Sequence, residues 1–257
     1  MKTRLILWIL AFVLILQISP LLAQEEEEEP LPPPRRPSAG KIGGAGGFTP
    51  IWLYWDVSAF NNFVPANAAK FSNTPMVLLG GQGYAYIMLV ENLRVGGMGV
   101  GGNSKTSAVD LAAGVRRDLD VSVHFGGVTA EYAIPIFDRL DIVPGILLGG
   151  GSMDIKMTRD GGGFKTWNGL WGEYGSNTAT SDVSRKLTGS FFVYQPSLNL
   201  EFALMRWMGL RAGVSYVGMS APDWQLDEMF DVAGVPSSIK GSGWTISTGI
   251  FVGTFLF

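Results

Sequence analysis

Apolar side chains recur at every second position through most of the chain, from residue 42 to residue 257. A period of two is that of a β-strand, whose successive side chains point to opposite faces. The clearest strand, 190–204, is followed after a short turn by another, 208–219. The apolar positions of the pair are Phe192, Tyr194, Pro196, Leu198, Leu200, Phe202, Leu210, Ala212, Val214 and Tyr216, opposite the polar or small Gln195, Ser197, Asn199, Glu201, Arg211, Gly213 and Ser215.

Two further segments, 118–134 and 140–157, keep this period but change phase partway. The change falls at the glycine runs 126–127 and 149–151, and one extra residue in a strand would produce it, so we expect a β-bulge at each run. The apolar sets on either side are Leu119, Val121, Val123, Phe125 and then Val128, Ala130, Tyr132, Ile134 in the first segment, and Leu140, Ile142, Ile146, Leu148 and then Met153, Ile155, Met157 in the second.

The whole pattern predicts eight strands whose connections alternate in length. Connections two, four and six are tight turns, whereas the odd-numbered connections are long. The inward face of the glycine-rich second and third strands and of the last strand is ambiguous. The predicted strands are 46–55, 76–88, 95–102, 118–134, 140–157, 190–204, 208–219 and 243–257, and the long connections are 56–74, 103–117, 158–188 and 220–240.

The amino-terminal region divides into two segments of distinct composition. Lys2 and Arg4 precede a short apolar run at 5–18, and a plausible cleavage site follows, so we expect residues 1–23 to be a cleavable signal peptide. Five glutamates and a proline-rich stretch fill 24–41, which favours an extended tether, with docking to a periplasmic partner as the alternative. The repeating strands, 42–257, form the folded domain.

The carboxyl terminus carries aromatics at Phe251, Phe255 and Phe257. This ending resembles the assembly signal of bacterial outer-membrane β-barrels, and the alternating loop lengths resemble their short periplasmic turns and long extracellular loops. Over 42–257 the chain resembles the small eight-stranded barrels of the OmpA and OmpX type in architecture. The resemblance implies an all-β, antiparallel, up-and-down transmembrane β-barrel in the cell outer membrane, in contact with lipid and lipopolysaccharide, handled by the barrel-assembly machinery and periplasmic chaperones, and monomeric.

Composition agrees with a sheet and excludes several kinds of site. There are 35 glycines, which disfavour helices, and only 16% of residues are charged. The net charge of -3 gives no electrostatic case for nucleic acid. Without cysteine there is neither a disulfide nor a lipoprotein anchor. A single histidine leaves no metal-ligand spacing, so we expect no metal and no cofactor.

The candidate functional residues are polar positions assigned to the lumen. Eight strands enclose a lumen that side chains mostly fill, so we interpret the set as a polar plug, with a narrow ion or water path as the alternative. Its members are Asp120, Ser122, His124, Thr129, Glu131, Gln195, Asn199, Glu201 and Arg211.

An enzymatic alternative rests on Asp120, Ser122 and His124, which alternate along one strand and therefore share a face. A carboxylate, a hydroxyl and an imidazole are the groups that acyl transfer uses. Lipid A deacylases contain a similar pair in the order His-x-Ser, whereas here the order is Ser-x-His. The apolar Val121 and Val123, which alternate with these three residues, are assigned to the lipid-facing side. We therefore expect the three to point into the lumen, away from a lipid substrate, and we favour a non-enzymatic protein.

The long loops carry whatever surface specificity exists. The loop at 158–188 combines basic residues with Trp167, Trp171 and Tyr174, a composition suited either to anchoring at the membrane interface or to sugar and lipid phosphate. The segment 57–71 is expected to be partly helical, and lid, plug and exposed loop stay open. The sequence therefore favours a structural or surface-interaction role. The rival is a soluble exported barrel of lipocalin type that binds an apolar ligand.

Overall fold

The computed structural model describes residues 43–87, 89–161, 166–175, 182–220, 222–236 and 238–254, apart from the side chain of Glu173. The predicted signal peptide and tether and the terminal Phe255 and Phe257 lie outside these residues. Neither described helix, Val57–Asn61 or Trp167–Tyr174, is long and apolar enough to cross a membrane. The described strands are β1 (Gly44–Phe48), β2 (Ile51–Trp55), β3 (Met76–Tyr86), β4 (Leu93–Asp110), β5 (Val115–Tyr132), β6 (Ile134–Phe137), β7 (Leu140–Asp160), β8 (Val183–Met205), β9 (Met208–Met219), β10 (Asp223–Leu226), β11 (Phe230–Asp231) and β12 (Gly243–Gly253).

The sheet closes on itself as an antiparallel up-and-down barrel. β3, β4, β5, β7, β8, β9 and β12 pair in sequence, and β12 then pairs with both β1 and β2. β1 and β2 form one interrupted strand, because both also pair with β3. The break falls at Thr49–Pro50, where proline has no N–H for the ladder. The barrel therefore has eight strand positions, as the sequence predicted.

Short turns and long loops lie at opposite ends of this barrel, which we call the turn end and the loop end. The chain reverses within 87–92, 138–139 and 206–207 at the turn end. At the loop end, 103–117 is a correction: β4 and β5 continue in register to Asp110 and Val115, joined by only four residues. This part of the hairpin is rich in polar residues, so it lacks the apolar contrast by which a strand is recognised.

The two predicted β-bulges are absent from the paired strands. The register between β5 and β7 runs without a shift from Arg116 to Glu131, straight through both glycine runs. Odd-numbered residues of both strands face the lumen along their whole length. The phase of the apolar residues changes because the surroundings change along the barrel axis, while the backbone continues regularly.

Near the turn end the outer surface is an apolar band, which we call the lipid belt. Its side chains are large and exposed, and they alternate with residues that face the lumen. Members of the lipid belt include Phe48, Tyr54, Val77, Leu79, Val95, Val128, Tyr132, Ile146, Leu148, Phe192, Tyr194, Leu198, Leu200, Phe202, Leu210, Val214, Trp244, Ile246, Ile250 and Val252.

Beyond the lipid belt, four strands continue towards the loop end as a structure that we call the collar, at 103–110, 115–124, 152–160 and 183–190. Its polarity is reversed: Val121, Val123, Met153 and Ile155 are buried inside, while polar and charged side chains face outwards. Apolar-inside and polar-outside is the arrangement of a β-barrel in water. The strands therefore pass from an apolar to an aqueous environment.

Candidate functional site: a closed lumen below an apolar cavity

Five charged side chains meet inside the lumen near the turn end, in what we call the ion-pair layer. They are contributed by five different strands, β4, β5, β7, β8 and β9. Alternation along each strand turns them inwards while their neighbours face the lipid belt. The five residues are Arg94, Glu131, Asp141, Glu201 and Arg211.

Arg211 joins the two glutamates of the layer. Its Nη1 and Nη2 donate to Oε1 and Oε2 of Glu131 at 2.9 and 3.2 Å, a bidentate arrangement. Its Nη2 and Nε donate to Glu201 Oε2 at 2.6 and 3.1 Å. All three residues are buried, and a buried carboxylate needs such compensation for its lost hydration. Arg211 therefore holds β5, β8 and β9 together across the lumen.

Arg94 extends the layer to β4 and β7. Its Nη1 lies 2.9 Å from Glu201 Oε1, and its Nη2 lies 3.2 Å from Asp141 Oδ2 and donates to the Tyr86 hydroxyl at 2.5 Å. The contact with Glu201 is an ion pair without hydrogen-bond alignment. Tyr84 donates its hydroxyl to Glu201 Oε1 at 3.0 Å. The charged groups thus form one connected network.

Aromatic rings fill the remaining space around the two guanidinium groups. The Tyr84 ring centroid lies 4.4 Å from Arg94 Cζ and 5.1 Å from Arg211 Cζ, and the Phe251 centroid lies 4.5 Å from Arg211 Cζ. Such contacts stabilise a desolvated cation. Phe251 is fully buried in the lumen, away from the lipid belt; its part in an assembly signal stays a prediction.

A second polar group lies above the ion-pair layer. Gln195 Nε2 donates to Ser215 Oγ at 2.7 Å, and the Ser215 hydroxyl also contacts that of Thr245. A cavity of about 20 Å³ lies among these side chains, room for about one water molecule. Three of the residues that line this cavity carry a side-chain oxygen without a hydrogen-bond partner in the protein: Thr49 Oγ1, Thr129 Oγ1 and Gln195 Oε1.

The structure divides the nine predicted site residues into two groups. Six are buried and face the lumen: Thr129, Glu131, Gln195, Asn199, Glu201 and Arg211. The other three, Asp120, Ser122 and His124, alternate with the fully buried Val121 and Val123 and lie on the outer surface of the collar.

The outward position of Asp120, Ser122 and His124 corrects the sequence-based expectation. The lumen assignment assumed that Val121 and Val123 face lipid. These valines pack in the apolar interior of the collar, which reverses both faces of the strand. Asp120 lies opposite Lys105 and Lys156 on the neighbouring strands.

Sequence reasoning missed Arg94, Tyr84, Tyr86 and Asp141. The glycine-rich β3 and β4 gave no reliable inward face, and Arg94 was assigned to a turn, although it pairs with Glu131 in the ladder. Asp141 was recognisable, since it alternates with Leu140 and Ile142. Among the described residues, no group of three or more His, Cys, Asp or Glu side chains is arranged to hold a metal ion.

A large apolar cavity of about 470 Å³, which we call the outer cavity, lies inside the collar at the loop end. Leu119, Ile155 and Leu187 line one side from the strands, and residues of the loops at 56–75 and 227–242 line the other. Two arginines, Arg117 and Arg159, lie opposite each other in register and also line it.

The segment 57–71 folds back onto the lumen and contributes to the wall of this cavity. Asp56 caps the helix Val57–Asn61, and the Ser58 hydroxyl together with the backbone N–H of Ala59 lowers the pKa of its carboxyl below the ordinary value. Asn61 exchanges two hydrogen bonds of 2.9 Å with the backbone of Phe71. Phe60 and Phe71 are buried in the same core as the inner collar, so this segment packs into the interior of the barrel at the loop end.

These features define the protein as an eight-stranded transmembrane β-barrel with tight turns at one end and longer loops at the other. No family model and no curated protein matches the chain. It is similar to a major outer membrane protein of Thermus thermophilus, with 9% identity over 82% of this chain and 98% of that one and a TM-score of 0.44. It is also similar to OprG of Pseudomonas aeruginosa, with 13% identity over 85% of this chain and 97% of that one and a TM-score of 0.40. Ail of Yersinia pestis, in complex with sucrose octasulfate, is similar too, with 11% identity over 82% of this chain and 97% of that one and a TM-score of 0.35. The chain resembles these proteins in architecture.

Proposed function

We propose that this chain is a non-enzymatic outer-membrane β-barrel with a closed lumen and a structural or surface-interaction role. The observation that carries the proposal is the ion-pair layer. Its charges are paired across five strands, and aromatic rings fill the space between them. A side-chain network of this density opposes the passage of ions, because each group that moved would leave a buried charge unpaired.

The lipid belt supports a position in the outer membrane. Tyr54, Trp244 and Tyr216 lie side by side in register at its loop-end edge, where interfacial aromatics are expected. Above that edge the outer surface of the collar carries Lys105 and Lys156. We propose that these lysines contact lipopolysaccharide phosphates in the outer leaflet and that the barrel is monomeric, assembled by the barrel-assembly machinery with periplasmic chaperones.

A surface-interaction role has separate support in the helix Trp167–Tyr174. Trp167, Trp171 and Tyr174 are exposed and stack edge to face, with ring centroids 5.7 and 6.0 Å apart. Exposed aromatics of this kind either anchor a loop at the membrane surface or bind a partner.

The conductance of the purified barrel in planar lipid bilayers tests the closed lumen. We expect no persistent current steps from the wild-type protein. A steady conductance that disappears in Glu201→Ala or Arg211→Ala would overturn the proposal and favour a narrow channel. Heat-dependent gel mobility shows that each sample is folded, so that silence reflects closure rather than failed insertion.

The absence of enzymatic activity is proposed from the geometry of Asp120, Ser122 and His124. None of the hydrogen bonds in the described part of the chain joins these three side chains to one another. Asp120 instead accepts a long hydrogen bond of 3.4 Å from Asn103 Nδ2, and the His124 ring lies over Gly101. Release of acyl chains from lipopolysaccharide by the wild type, but not by His124→Ala, would show that the protein is an enzyme.

A further inference from the structure

We propose that the outer cavity binds an amphipathic molecule with a single aliphatic chain and an anionic head, of the fatty-acid class, and that Arg117 binds the head. The inference goes beyond the closed barrel proposed above. It rests on the size of the cavity, on its lining and on an unpartnered arginine nitrogen.

The size and lining of the outer cavity suit a hydrocarbon chain. Its volume of about 470 Å³ lies within the ~300–1,000 Å³ typical of small-molecule sites. Leu119, Ile155 and Leu187 on the strands face Val64, Ala68 and Ile239 on the loops. The cavity opens to solvent at the loop end, and a concave apolar surface of this size gains free energy when an apolar group covers it. A single aliphatic chain would recover the missing contacts.

Arg117 adds a positively charged side chain to the lining of the outer cavity. Its Nη1 is buried and has no hydrogen-bond partner in the protein. The half-buried Arg117 side chain lines the cavity, so a carboxylate held there would pair with its guanidinium group. The acidic residue among those that line the cavity, Asp118, already accepts a hydrogen bond of 3.0 Å from Arg116 Nε.

The test is displacement of a dansyl-labelled undecanoate from the full barrel held in amphipol, with the signal of protein-free amphipol subtracted. Dodecanoate, dodecanol and a two-chain phosphatidylglycerol are the competitors. We expect saturable binding, with dodecanoate displacing the probe best. A preference for the two-chain lipid would identify the occupant as membrane lipid and overturn the proposal, and so would a lack of saturable binding by the folded wild type.

Two pairs of variants distinguish the contribution of the aliphatic chain to binding from that of the anionic head. Ala68→Trp fills the cavity and should abolish probe binding, while Ala66→Trp, exposed in the same loop and outside the lining, should leave it unchanged. Arg117→Gln should weaken dodecanoate by about tenfold and leave dodecanol unchanged. Its control is Arg185→Gln, which removes an exposed charge from a collar strand outside the lining.

Each variant is first checked for heat-dependent gel mobility, and Ala233→Trp, which fills the cavity from the other loop, replaces Ala68→Trp if that variant does not fold. Equal binding by the cavity-filling and control variants, or equal loss of acid and alcohol in Arg117→Gln, would overturn the assignment. Conductance is measured separately, and because the ion-pair layer lies at the opposite end of the barrel, failure of binding leaves the closed-lumen proposal untouched.

Discussion

Arg211 shows at the scale of one residue how the lumen is held closed. Two carboxylates share its guanidinium, and the Phe251 ring packs against it, so no part of the side chain is left to water. Removing one partner of such a group is costly because the others stay buried and charged. The contribution of Arg211 to stability therefore comes mainly from the pairing of Glu131 and Glu201, which would otherwise be buried and unpaired.

We expect Arg211→Met to lower the free energy of unfolding by about 3–5 kcal/mol, because Glu131 and Glu201 lose their shared partner. Urea unfolding of the refolded barrel measures this. Arg116→Met, which breaks an exposed ion pair, is the control and should change stability by less than ~1 kcal/mol. Adding Glu131→Gln and Glu201→Gln to Arg211→Met should restore part of the loss; no restoration would contradict the network as described.

Neighbouring glycines on β7 differ in the space beside them. A Cβ on Gly149 would lie 2.0 Å from the backbone oxygen of Gly126, whereas on Gly150 its nearest neighbour, Phe191 O, is 3.6 Å away. Backbone cannot move aside as a flexible side chain can. The difference reflects a close approach of the β5 and β7 backbones at the glycine runs, which only a residue without a Cβ permits at position 149.

Gly149→Ala should therefore lower the free energy of unfolding by about 1–3 kcal/mol, while Gly150→Ala should leave it unchanged or slightly raised. The same urea titration measures both. Equal tolerance at the two positions would indicate that the β5 and β7 backbones do not approach each other this closely at Gly149.

At the scale of the strand, β5 and β7 show why a regular element can mimic an irregular one in sequence. Their apolar residues face lipid near the turn end and face the interior in the collar. The alternation of side chains between the two faces is constant along each strand. The apolar surroundings lie outside the barrel near the turn end and inside it in the collar. A pattern of hydrophobicity records only the environment, so a bulge and a change of medium give the same signal.

Cysteine labelling tests this change of medium, since the chain contains no native cysteine. Ser122→Cys on the collar should react rapidly with a membrane-impermeant maleimide in intact cells, because its side chain faces water. Ala130→Cys, on the same face of the same strand but in the lipid belt, should react at least about tenfold more slowly. Fast labelling of Ala130→Cys, or protection of Ser122→Cys, would place the membrane elsewhere.

At the scale of the whole molecule, closure of the sheet is the main determinant of stability in lipid. Every strand position has a partner on both sides, so the barrel presents no open edge to the apolar phase. The lipocalin alternative fails here, since its outer surface would be polar throughout. The collar nevertheless has the polarity of a soluble barrel, so the rival interpretation describes part of each long strand correctly.

A closed barrel of this kind should resist unfolding by SDS at room temperature. We expect unboiled protein to migrate faster on a gel than the boiled sample, with Arg211→Met shifting at a lower temperature than the wild type. The control is Arg116→Met, which should shift with the wild type. A single band that does not move on boiling would contradict the closed barrel.

Part of the site was predictable from the sequence. Glu201, Arg211 and Gln195 alternate strictly with large apolar residues on β8 and β9, so their inward position could be inferred. Arg94 and Tyr84 lie on strands where glycine replaces the apolar alternation, and there the faces could not be assigned. Asp120, Ser122 and His124 were assigned to the wrong face, because local alternation does not tell which side of a strand meets lipid.

The sequence alone determined the eight strand positions, their antiparallel order and the tight turns at one end, since these depend on local period and on glycine and proline; the predicted long loop at 103–117 proved to be a hairpin. Only the tertiary structure decided where the lipid belt ends, which face of the collar is inside, and that Arg94, Asp141 and Glu201 meet in one network. The physical reason is that closure brings distant strands together and sets the medium on each side. Neither property is encoded within a single strand.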